Sequence, residues 1–159
     1  MDQFTRRIIG FAVHVGDVDG VSLCRMFNRV ISRHALPRYL STDHDPLFRY
    51  HRWQANLRVL DIEPVKTVPH VPVSHPFVER LIGTVRRELL DQMLFWNSLD
   101  LERKLGSFRD YYNESRVHSA LGGQTSAEVS EDRARQRANI LEHRWQSHCS
   151  GLYQLPLAA

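Results

Sequence analysis

Thr42-Asp43-His44-Asp45-Pro46-Leu47-Phe48 opens the stretch whose reading decides the fold, and Ser74-His75-Pro76-Phe77-Val78-Glu79-Arg80-Leu81-Ile82-Gly83-Thr84-Val85-Arg86-Arg87-Glu88 closes it. Asp43 follows Tyr39-Leu40, a short apolar run, as a residue at a strand end would. Glu79 falls in the first turn of a helix that begins near Pro76, because proline has no N–H to lose at a helix start. Exactly 35 residues stand between the two acids. A carboxylate at a strand end and another on a helix can converge on one divalent cation, which hard oxygen ligands suit. Two carboxylates ~4 Å apart repel by about 4 kcal/mol at an effective dielectric of about 20, so a cation is expected between them.

Outward from that stretch, the pattern alternates strand and helix. Met1 to Arg7 reads as a turn, and Ile8-Ile9-Gly10-Phe11-Ala12-Val13-His14-Val15 as a buried strand. Asp19 is placed to cap a helix in which Leu23, Cys24, Phe27, Val30 and Ile31 keep helical spacing to about Arg33. Ala35-Leu36-Pro37 ends it, and Arg38 to Thr42 is a second short strand. Pro46 to Leu57 reads as a short helix carrying Phe48, Trp53 and Leu57, and Val59 to Val65 as a third strand. Thr67 to His75, with Pro69, Pro72 and Ser74, reads as a loop. The Glu79 helix is expected to run from Pro76 to about Phe95. A further helix from Ser98 places Leu101, Leu105, Phe108 and Tyr112 on one face. Residues 125–142 read as a charged helical segment, and residues 143–159 as a small hairpin or an extended arm. The order defines an α/β protein.

The Asp43 context and the Glu79-Arg80 helix head resemble the catalytic core of retroviral integrases and of insertion-sequence transposases with the Asp, Asp-35-Glu triad. Tyr111-Tyr112-Asn113, Arg116, His118 and Leu121-Gly122-Gly123 resemble the segment that follows the glutamate helix there. The resemblance covers about residues 2–130. It implies an RNase H-like fold, a five-stranded mixed sheet flanked by helices, with the first aspartate of the triad on the central strand. On that pattern Asp2 to Arg7 matches the turn between the family's second and third strands. The family's first strand and most of its second are then expected before Met1. Residues 1–125 form a partial catalytic core and residues 126–159 a helical C-terminal extension. Asp2 is a poor candidate for the first aspartate, because the family's residue precedes this turn by a whole hairpin.

What the resemblance implies is metal-dependent DNA strand transfer, with Asp43 and Glu79 as catalytic residues and ligands of Mg²⁺ or Mn²⁺. A two-metal site needs a bridging ligand, in this family the first aspartate, so residues 1–159 alone are expected to lack that activity. The partners implied are transposon-end and target DNA, with assembly as a homo-oligomer and no small-molecule substrate. DNA-binding candidates are Lys66, Arg80, Arg86, Arg87, Arg116 and His118. Arg86 lies seven residues beyond Glu79 on the same helical face; its competing reading is a solvated surface paired with Glu88 and Asp91. His44 and His75 flank the acids as groups able to orient metal ligands, or as ordinary surface histidines. The alternative function is a non-catalytic fragment that binds DNA or an intact transposase.

Composition narrows this little. A chain of 159 residues with 42% hydrophobic and 25% charged residues is sized for one soluble domain, and a formal charge of +3 only mildly favours a polyanionic partner. No apolar run has the length of a membrane span, and Arg6 and Arg7 precede too short an apolar run for a signal peptide, so a cytoplasmic location is expected. Cys24 reads as a buried thiol, and His143, His148 and Cys149 match no zinc-site spacing.

Overall fold

The computed structural model describes residues 1–43, 45–66, 76–131 and 143–158. His44, His75 and residues 132–142 of the charged segment lie outside them. Contacts divide the chain into two units, Ala12–Ser98 and Met1–Phe11 with Leu99–Ala159.

In the first unit, Asp19 caps α1 (Gly20–Ile31) by accepting the Ser22 N–H at 2.7 Å. The strand β1 (Tyr39–Thr42) leads through a 3₁₀ turn (Pro46–Arg49) into α2 (His51–Val59) and on to β2 (Glu63–Lys66). β1 and β2 pair in parallel, with Tyr39 opposite Glu63 and Thr42 opposite Lys66. The apolar spacing read from the sequence buries Ile31, Trp53, Leu57 and Ile62, with Leu23, Cys24, Phe27, Leu40 and Phe48 packed on them. Trp53 is the hub: Phe27 meets it edge-on at 5.0 Å and Phe48 at 5.6 Å. Cys24 is half-buried against this cluster rather than fully enclosed. α3 (Pro76–Val85) follows and runs directly into a π turn (Arg86–Leu90).

In the second unit, α4 (Ser98–Glu114) buries Leu105, Phe108, Tyr111, Tyr112 and Asn113. β3 (Val117–His118) and β4 (Gln124–Thr125) form a short antiparallel pair. The Gly122-Gly123 dipeptide closes it with φ of +65° and +80°, a left-handed conformation that side chains disfavour. Thr125 and Glu128 then exchange hydrogen bonds, each side chain accepting the other's N–H, to cap α5 (Ser126–Glu131). β5 (His143–His148) and β6 (Tyr153–Ala158) form the hairpin alternative for the tail. Tyr153 stacks on Tyr111, with centroids 4.3 Å apart and planes 2° from parallel.

Three expectations are corrected. Ile8–Val15 does not form a strand. Ile8 is buried, but its N–H donates to the Asn113 side-chain oxygen at 2.8 Å and its carbonyl accepts from the Asn113 amide at 2.9 Å. An amide side chain thus takes the place of a neighbouring strand; no strand among the described residues pairs there. The Glu79 helix stops at Leu90 rather than Phe95, because the Asp91 N–H bonds back to the Arg86 carbonyl five residues earlier and a turn follows. Val59 closes α2 instead of opening the third strand, which starts at Glu63 after Asp61 adopts φ +56°. The strands among the described residues pair as three two-stranded ladders, β1–β2 parallel and β3–β4 and β5–β6 antiparallel.

Candidate metal and nucleic-acid site

Asp43 leaves the C-terminal end of β1, the end of a parallel sheet at which α/β proteins gather ligands. Its side chain is exposed, and its Oδ1 accepts the Asp45 N–H at 3.1 Å. Asp43 does not cap the Pro46 turn, because Asp45 holds that position by accepting the Leu47 N–H at 2.8 Å. The carboxylate of Asp43 is therefore not consumed by capping. Lys66, opposite Thr42 in the ladder, ends β2 at the same edge.

Glu79 stands exposed in the first turn of α3, where the helix dipole favours a negative charge. Leu81, Thr84, Val85 and Leu89 turn inward along the helix, and Arg80, Arg86 and Arg87 are exposed. Arg87 folds back along the axis: its Nη1 lies 3.0 Å from where a Cβ on Gly83 would stand. Gly83 is one turn beyond Glu79, so Arg87 as well as Arg86 belongs to the line of the glutamate.

Arg116 and His118 build a different arrangement. The Arg116 guanidinium lies 5.3 Å from the Tyr112 ring centre and its Nη1 3.3 Å from His118 Nδ1. His118 is buried and meets the Tyr112 ring edge-on at 4.7 Å. Both side chains brace the end of α4.

Asp2 serves its turn. Its Oδ1 accepts from the Phe4 and Thr5 N–H groups and from the Thr5 hydroxyl, at 2.7 to 2.9 Å. Burial pushes its pKa up, but the hydrogen bonds from Thr5 and Phe4 outweigh that and hold it below the ordinary value. Cys149 is buried, which pushes its thiol up to about 11 and leaves it a poor metal ligand at neutral pH.

Asp43 and Glu79 offer the hard oxygen donors that Mg²⁺ or Mn²⁺ takes, and both are open to solvent, from which such ions draw their remaining ligands. The donor chemistry fits. Among the described residues no group of three or more His, Cys, Asp or Glu side chains is placed to hold a metal. Nor is any helix among them long and apolar enough to cross a membrane.

Residues 60–125 match the integrase core domain family. The fold is that of the RNase H-like integrase cores. The catalytic core of BIV integrase superposes with a TM-score of 0.61 at 19% identity, over 81% of this chain and 80% of that one. The HTLV-2 integrase catalytic core, solved in complex with magnesium, gives 0.55 at 20% identity over 71% and 70%. The particular relatives in sequence are insertion-element proteins. The uncharacterized 39.2 kDa protein of insertion element IS476 from Xanthomonas euvesicatoria is 27% identical over 139 residues, covering 87% of this chain and 40% of that protein. Transposase InsD of insertion element IS2D from Escherichia coli is 29% identical over 93 residues, covering 58% and 31%. The chain thus spans less than half the length of these relatives, and its similarity to insertion-sequence transposases and to the integrase core domain family is distant and partial.

Sequence reasoning missed Asn113 as the clamp on Ile8, because the contact spans 105 residues and leaves no local pattern. It also missed the Thr125–Glu128 cap, which the spacing of a threonine three residues before a glutamate announces.

Proposed function

We propose that Asp43 and Glu79 are metal-holding carboxylates of a DNA-transposing integrase core, acting on transposon ends and target DNA. The observation that carries this reading is the state of Asp43, exposed at the C-terminal end of a parallel strand and relieved of capping by Asp45. Mg²⁺ or Mn²⁺ bound there would polarise a DNA phosphate and activate the attacking hydroxyl or water. The chain's own groups position the nucleic acid: Arg80, Arg86 and Arg87 present guanidinium groups along the glutamate helix, and Lys66 ends the strand beside Asp43. Arg116 and His118, engaged with Tyr112, hold the end of α4 instead of touching DNA. Two carboxylates do not complete a two-metal site, so joining of DNA ends requires a further ligand beside Asp43 and Glu79.

Two measurements test this. Mn²⁺ binding to residues 1–159, followed by electron paramagnetic resonance, should weaken at least several-fold in Asp43→Asn and in Glu79→Gln; equal binding by both variants sinks the metal assignment. Strand-joining assays with Mg²⁺ should give no product, and joining that Asp43→Asn abolishes would show that these residues complete a working site. The exposed arginines support a second reading, a non-catalytic DNA-binding fragment, marked by a salt-dependent affinity that survives Asp43→Asn and needs no metal.

A further inference from the structure

One charged surface has no part in the metal reading. α1 and α2 lie side by side and run in the same direction, as three successive contacts show. Tyr50 packs on Gly20, Phe27 meets Trp53 edge-on at 5.0 Å, and Asn28 and Asn56 exchange amide hydrogen bonds at 3.0 and 2.9 Å. Neither helix nor the Pro46–Arg49 turn between them contains an Asp or a Glu, whereas together they hold Arg25, Arg29, Arg49, Arg52 and Arg58. A chain with a net charge of +3 thus carries five arginines on two packed helices and the turn between them, with Asp19 and Asp45 as the capping acids at their starts.

All five arginines are exposed, and Arg25, Arg49, Arg52 and Arg58 make no ion pair among the described residues. Helix stability explains only part of the set. Arg29 and Arg58 stand in last turns, where the dipole welcomes a cation. Arg25 is mid-helix, and Arg52 is in the first turn of α2, where the same dipole opposes it. Toward the C-terminal end of the seam the Asn28–Asn56 amide pair forms a polar patch among these arginines, while the exposed Tyr50 stands at its start. Cationic rows around a polar patch suit a partner of uniform, repeated negative charge, and a DNA backbone supplies that along its whole length.

We propose that the α1–α2 seam is a second DNA-binding surface, distinct from the glutamate helix, on which Arg25, Arg29 and Arg52 meet backbone phosphates of a duplex. The Asn28–Asn56 pair keeps the two rows in register. This rests on the reading that DNA is the partner, so the test separates the two.

Duplex binding by residues 1–159 is followed by fluorescence anisotropy across a salt series. The wild type is compared with Arg25→Gln/Arg29→Gln/Arg52→Gln, with the corresponding triple Lys variant, and with Arg80→Gln/Arg86→Gln/Arg87→Gln. Each phosphate contact contributes roughly 0.9 to the slope of log K against log salt, so the seam Gln variant should lose roughly 2.7 of slope. The Lys variant should retain it, which separates lost charge from lost folding. An unchanged slope in the seam Gln variant, with loss in the Arg80/Arg86/Arg87 variant, overturns the seam and leaves DNA as partner. Absence of duplex binding by the wild type overturns both.

Discussion

Asn113 takes the place at Ile8 that a neighbouring strand fills in a sheet. Its side-chain amide meets both backbone polar groups of a residue with 2% exposure, and is itself buried. Replacing it with alanine leaves the N–H and C=O of Ile8 without the amide, at about 1–3 kcal/mol for each orphaned buried group. Asn113→Ala should therefore lower the urea midpoint clearly, with an unchanged denaturant slope; a shift near zero would mean that water replaces the amide. The sequence quoted Asn113 only as part of a motif. Its job was invisible there because nothing local pairs it with Ile8. Asp19, by contrast, could be read directly, since a cap acts two or three residues away and its position is written in the adjoining residues.

Among the elements, α1 and α4 were legible because burial follows their own periodicity. Leu105, Phe108 and Tyr112 fall on one face of α4, as spacing requires. Ile8–Val15 was misread for a reason of scale: an apolar run specifies a strand only when another strand is there to pair with it. The π turn at Arg86–Leu90 had no sequence signal, since one bond shifted from four residues to five leaves the apolar pattern nearly intact. Gly83 bears on how this element works. An alanine there adds helix propensity, by about 1 kcal/mol relative to glycine. Its Cβ would also displace the exposed end of Arg87, which lies 3.0 Å from that point. Gly83→Ala should thus raise the thermal midpoint while weakening duplex binding through the glutamate helix. A variant that is more stable and binds DNA unchanged would show that the position of Arg87 over Gly83 does not matter to binding.

At the scale of the whole molecule, net charge said little because it averages over surfaces of different character. The acid-free helices α1 and α2 were readable as sequence, but that they lie in register is a tertiary fact carried by Gly20–Tyr50 and Asn28–Asn56. Charge also sets how the chain responds to acid, and two aspartates that accept local hydrogen bonds, Asp19 and Asp2, give the direction. Asp19 is held below its ordinary value of 3.8 by hydrogen bonds to Ser22. Asp2 is held below the same value because hydrogen bonds from Thr5 and Phe4 outweigh its burial. A carboxylate with a depressed folded pKa binds fewer protons folded than unfolded. Its stabilisation is therefore present in full above the unfolded value and lost as pH falls through the lower folded one. The thermal midpoint should hold steady near neutrality and decline as pH drops below about 4. Asn caps a helix about as well as Asp but does not titrate there. Asp19→Asn should consequently keep α1 capped at neutral pH and make the acid decline shallower. A decline as steep as that of the wild type would mean that Asp19 contributes nothing to the acid transition.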